Sequence, residues 1–121
     1  LTVIGLFLQR MAVYGLRPVD LSVLSLITHN PGITSSQLCS ALSILPPNLV
    51  GVVNGLEKRG LIQRRPHPND GRAMGLHPTP EGVKLMEQAE SDAAQLEIDV
   101  ASRLTATERK TLMRLLQKVY L

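Results

Sequence analysis

Aromatic side chains are almost missing from this chain: Phe7, Tyr14 and Tyr120 are present, and there is no Trp among 121 residues. A surface on which unpaired bases stack needs several such rings, so the composition argues against single-strand nucleic-acid binding of that kind. Cysteine is just as scarce. A lone Cys39 cannot close an intramolecular disulfide, which fits a reducing compartment. Long apolar runs are absent too. Residues 1–8, LTVIGLFL, are mostly apolar but far too short to cross a bilayer, and Gln9–Arg10 ends them. No basic segment precedes them as in a signal peptide, so a soluble, cytoplasmic protein is expected. The first residue is Leu1 rather than Met, so we expect an upstream part of the chain.

Signatures of catalysis are missing as well. No G-x-S-x-G, Walker A or H-E-x-x-H occurs, and no enzyme activity or cofactor is expected. His67, His77 and Asp70 lack a Cys or an H-x-x-x-H pair beside them and make a poor metal set. Cys39 lies between Leu38 and Leu42, where a packed thiol is a better reading than a redox sensor.

What is present points to one folded domain, with 44% hydrophobic and 19% charged residues. The net charge of +3 says little, but its distribution is uneven. Lys58, Arg59, Arg64, Arg65 and Arg72 place five of 13 basic residues within fifteen positions, with Asp70 the only acid among them. Between 81 and 99 stand six of the ten acids, against Lys84 alone. The basic cluster makes a polyanion its natural partner.

Local signals set the element order. Residues 2–15 read as a helix stopped by Gly15, and Pro18 opens a second helix running to about His29. Thr34 with Gln37 forms a capping box before SSQLCSAL. Pro46–Pro47 can only begin a helix, whose apolar Leu49, Val52, Val53 and Leu56 recur up to Gly60. LIQRR is a strand, PHPND a turn-rich tip and RAMGLH a returning strand. Thr79-Pro80-Glu81 starts a long helix, and Thr105 with Glu108 caps the last one. Positions 83, 86, 89, 93, 96, 100 and 104 form an apolar stripe close to a coiled-coil seam, which predicts a partner subunit. The fold class is therefore mainly α with a small β-hairpin (α+β): a winged helix-turn-helix with flanking helices.

With these residues in place, the chain resembles the MarR family of bacterial transcription regulators. GLRPVDLSVLSLI, LEKRGLIQR, the Asp-Gly-Arg at 70–72 and TPEG at 79–82 carry the resemblance, which covers nearly the whole chain. It implies a single domain over 1–121, with a DNA-binding lobe at 18–78 and dimerisation helices at 1–16 and 80–121. It implies a homodimer on a pseudo-palindromic duplex, acting as a repressor relieved by a small aromatic or phenolic ligand. The recognition helix would be residues 46–59, roughly 21 Å long at its rise per residue. That length suits a major groove about 12 Å wide, and two copies would read half-sites roughly 10 bp apart.

The resemblance also implies roles for particular residues. Arg72 matches the wing arginine that enters the minor groove, and Asp70 the acid that orients it; alternatively the pair only stabilises the turn. Arg64 and Arg65 flank the hairpin, as phosphate contacts or as a solvated face. Ser35, Ser36 and Gln37 contact phosphate or serve capping alone. The recognition helix departs from the family pattern. Leu45 replaces a capping Ser, and Val50, Gly51 and Gly55 replace positions that are often Ser or Arg. Asn48, Asn54 and Lys58 remain for base edges, with Asn48 favoured for adenine. Pro47 and Val50 offer thymine-methyl contacts, and Gly51 a close backbone approach. An effector site would draw on Arg10, Met11, Tyr14 and His29, although packing or surface is the ordinary role of each. The competing function is a dimeric winged-helix module that binds protein or ligand without reading DNA, motivated by that apolar recognition helix.

Overall fold

The computed structural model describes the backbone of residues 3–67, 70–101 and 106–120. Among the described residues, six α-helices and one hairpin follow in order: α1 (Val3–Met11), α2 (Pro18–His29), α3 (Ser35–Leu42), α4 (Pro46–Lys58), β1 (Ile62–His67), β2 (Asp70–Pro78), α5 (Pro80–Ala101) and α6 (Ala106–Tyr120).

Local chemistry sets most of these boundaries. The expected helix at 2–15 is instead α1 followed by a tighter 3₁₀ turn over Ala12–Tyr14. Gly15 closes it at φ 65°, in the left-handed region that side chains resist. The guanidinium of Arg59 donates to the carbonyls of Tyr14 and Gly15, at 2.7 and 3.0 Å. Those contacts take over carbonyls that a longer helix would have used itself. At α3 the capping box forms as expected: Gln37 N donates to Thr34 Oγ1 at 3.2 Å, and Thr34 N to Gln37 Oε1 at 3.0 Å. Thr79 caps α5 by accepting from Gly82 N at 3.1 Å. The proposed Thr105 cap of α6 lies outside the described residues.

The hairpin is longer than its composition suggests. Strand β1 runs on through Pro66 and His67, and β2 begins at Asp70 rather than Arg72. Pro66 pairs with Met74, and a bulge follows between Pro66 and His67. A two-stranded sheet has only edges, where a missing N–H is tolerated. Ile33 adds a short third bridge: Gly32 N donates to Leu76 O at 2.8 Å and Leu76 N to Ile33 O at 2.9 Å. The wing is thereby fastened to the turn before α3.

The core gathers around α2, whose Val23, Leu24 and Ile27 are fully buried, and includes Leu38, Leu49, Leu56, Leu76 and Met86. Among the described residues, no buried side-chain nitrogen or oxygen lacks a partner. The apolar stripe of α5 is covered by the protomer only in its middle. Met86, Ala89, Ala93 and Leu96 are buried within the protomer itself, where α5 packs on α1 and α2. Positions 100 and 104 lie outside the described side chains. Large apolar side chains stay exposed at Val83 of the same stripe and, elsewhere among the described residues, at Leu8, Val13, Leu45, Val50, Met74, Ile98 and Met113.

Candidate nucleic-acid interface

Helices α3 and α4 meet through a tight connection. Ser43 closes α3 at φ 53°, and Ile44 N reaches back to Cys39 O at 3.2 Å. Cys39 is half-buried against the core, as a packed thiol should be.

The two helix starts differ in what they offer an anion. Ser35, Ser36 and Gln37 stand exposed on the first turn of α3. Their backbone N–H groups sit at the positive end of the helix dipole. The Gln37 N–H and side-chain oxygen are used by the cap. At α4 the first two helical residues, Pro46 and Pro47, have no N–H, and the Asn48 and Leu49 amides both bond to Leu45 O. The start of α4 therefore has no backbone donor to spare. A phosphate can be held by the α3 amides, but not there.

The outer face of α4 follows from its period. Leu49, Val52, Val53 and Leu56 are buried, so Pro47, Gly51, Asn54 and Lys58, at steps of four, three and four, lie opposite the core and are exposed. Val50 flanks this stripe at 56% exposure, and Leu45 precedes it at 68%. Asn48 turns to the other flank, beside a cleft of about 720 Å³ that Arg17, Leu45, Pro47 and Gly51 also line.

Asn54 is the polar group at the centre of the stripe, and it is not alone. Arg64 on β1 donates from Nη2 to Asn54 Oδ1 at 2.5 Å and from Nε to Glu57 Oε2 at 3.3 Å. Arg64, one of the two expected phosphate contacts, thus lies against α4 in the free protein. Arg65, pointing the other way along the strand, stays exposed. Desolvation, and after it the charge of Arg65, pull the His77 imidazole below its usual value. The wing therefore gains no positive charge from His77 at neutral pH. The side chains of Asp70 and Arg72, the expected wing contacts, lie outside the described residues; their backbone belongs to β2.

Three of the four effector candidates are drawn to α5 rather than to one another. Arg10 forms an ion pair with Asp99 at 3.1 Å, and His29 Nε2 meets Glu90 at 2.8 Å. The Tyr14 hydroxyl donates to the Asp92 carboxylate. Met11, at 1% exposure, is part of the core, the ordinary packing role open to it from the start. Two residues have defined work that the sequence did not signal. Glu57 stands one position before the basic cluster and offsets Arg64. Arg59 was counted as surface charge but is a helix cap. Neither partner set is signalled by spacing, because both cross between elements 7 to 45 residues apart.

Comparison with known proteins agrees with this geometry. A family model described as MarR family matches residues 14–73. A Thauera aromatica protein, assigned by its name to regulation of the hcr operon, is 38% identical over 106 residues. The match covers 88% of this chain and 64% of that relative, so the chain spans under two thirds of its length. The structure of a transcriptional repressor, CouR, bound to a 23-mer DNA duplex is similar with a TM-score of 0.80 at 32% identity, over 98% of this chain and 84% of that one. A MarR family protein of Mycobacterium tuberculosis in complex with salicylic acid gives a TM-score of 0.65 at 26% identity, over 93% and 84% of the two chains.

Proposed function

This chain belongs to the MarR family of transcription regulators, and from that premise we propose that it is a cytoplasmic, homodimeric repressor of double-stranded DNA, released by a small aromatic acid. It is a binding protein and not an enzyme. The observation that carries this reading is the outward stripe of α4, standing beside a wing that holds Arg65 and the backbone of Arg72. A helix with one solvated face, flanked by a basic hairpin, suits a major groove with an adjoining minor groove. The DNA-bound state of CouR supports the same use of this fold.

In this proposal Ser35 and Ser36 hold phosphate through the α3 amides, while Pro47, Asn48, Val50, Gly51 and Asn54 face base edges. Arg65 adds a phosphate contact, and Arg72 enters the minor groove with Asp70 orienting it. Helices at 1–16 and 80–121 form the dimer. Leu8, Ile98 and Met113 are large apolar side chains exposed on these helices, and a second subunit would cover such surface. The salicylic acid complex of the mycobacterial protein supports an aromatic acid as effector. Here Arg10 and His29 already hold carboxylates, and an effector carboxylate would replace one of them. Release is then a population shift toward dimers whose α4 helices are wrongly spaced.

Titration with salt against promoter fragments tests the proposal. Log K should fall steeply with log[salt], by about 0.9 per phosphate contact. A subset of fragments should bind more tightly than the rest. Arg72→Ala should weaken that tighter binding with the dimer intact, and salicylate should dissociate the complex. Weak, salt-insensitive binding to every fragment would favour the alternative module that does not read DNA.

A further inference from the structure

The link between Asn54 and Arg64 has a consequence for which base α4 reads. A guanidinium carries five N–H donors and no acceptor, so only the oxygen of an amide can face it. The Arg64 contact at 2.5 Å therefore fixes which way the Asn54 amide is turned. Glu57, at 3.3 Å from Arg64 Nε, holds the guanidinium from its other side. Asn54 and Glu57 lie one turn apart on α4, and Arg64 reaches both from β1. A free Asn reads adenine with two groups at once, accepting from N6–H₂ and donating to N7. Here the oxygen is engaged by a charged donor, a bond about twice as strong as a neutral one. That contact turns the oxygen toward β1 with one lone pair left, while both amide N–H donors lie outside it, so the amide offers donors before an acceptor at the centre of the outward stripe.

We infer that Asn54 is a specificity-determining residue that reads acceptors, guanine before adenine, and that Arg64 is its positioning residue rather than a phosphate contact. The inference rests on the DNA-binding reading above. Guanine presents N7 and O6, both acceptors, on its major-groove edge and accepts both N–H groups. Cytosine presents a donor and is rejected. Exposed ion pairs are weak, and Arg64 and Glu57 are both partly exposed in the free protein. A docked duplex excludes water from the same pair and strengthens its hold on the amide.

Selection of duplexes from a random pool by the full chain tests this, with Asn54→Ala, Arg64→Ala and Arg64→Lys beside the parent. The parent should select guanine at one position of each half-site. Asn54→Ala should flatten that position and weaken binding to the selected duplex by about fivefold or more. Arg64→Ala should move the same position toward adenine, and Arg64→Lys should do so less, since an ammonium can donate to Asn54 but lacks the rigid fork that fixes the amide against Glu57. Because Glu57 already offsets the Arg64 charge, Arg64→Ala should leave the salt slope close to that of the parent. An unchanged preference in Asn54→Ala overturns the inference while DNA binding stands. So does an Arg64→Ala variant that weakens all duplexes alike and loses about one phosphate contact from its slope. A parent that prefers no sequence overturns both readings.

Discussion

Gly82 in α5 and the pair Gly51 and Gly55 in α4 are all helical glycines, and they are glycine for opposite reasons. A Cβ at Gly82 would collide with the Leu61 carbonyl oxygen and sit 3.0 Å from its carbon. The start of α5 can dock against the end of the helix-turn-helix only where no side chain intervenes. At Gly51 and Gly55 an added Cβ would meet nothing within 4 Å. Each still costs about 0.8–1 kcal/mol relative to Ala in a helix interior. The fold requires the first glycine and gains nothing from the other two. The two regions therefore answer to different demands, one from inside the molecule and one from outside it.

Three measurements press on that difference. The largest effect belongs to Gly82→Ala, which should cost about 3 kcal/mol because the neighbour is backbone and cannot rotate away. The urea midpoint reads it, and an unchanged midpoint would mean that α5 shifts freely and the contact is incidental. Smaller, and of opposite sign, are Gly51→Ala and Gly55→Ala, each expected to stabilise by about 0.8–1 kcal/mol. Gly51→Ala, on the outward stripe, should also weaken operator binding. If both variants are no more stable than the parent, the helix has a use for these glycines that its contacts do not reveal. The smallest effect lies in the wing, where His77 is held below its usual value by desolvation and then by Arg65. As pH falls, the unfolded chain takes up that proton first. Stability is thus full above the unfolded value, about 6.5, and declines as acidification proceeds down through the folded one. In His77→Gln the decline below that pH should be shallower in a thermal scan series, and parallel curves would remove His77 from the account.

Much of the fold was legible because its signals are local. Thr34 with Gln37, Pro18, Gly15 and Thr79-Pro80 each act on atoms within a turn of themselves, and a linear reading reaches that far. The α5 stripe was visible as a pattern, but a period does not say which surface covers it, and α1 and α2 cover only its middle here. The hairpin was underestimated because Pro66 was weighed as a turn former, although a strand edge accepts it. At the candidate interface the exposed stripe of α4 followed from spacing. The turning of Arg64 toward Asn54 did not, since it joins a helix to a strand across a loop. Asn48 drew attention as the base reader while Asn54, nearly two turns further on, faces away from the core.

Arg59 ties the far end of α4 to the corner between α1 and α2 through the Tyr14 and Gly15 carbonyls, and Tyr14 in turn holds Asp92 of α5. The helix that faces outward is consequently not free to pivot on its own. Any tilt of α4 either breaks two charge-assisted bonds or drags that corner with it, and the corner pulls on the middle of the longest helix. Arg59 thus works as a tie-rod, making the angle of α4 and the position of α5 a single mechanical variable.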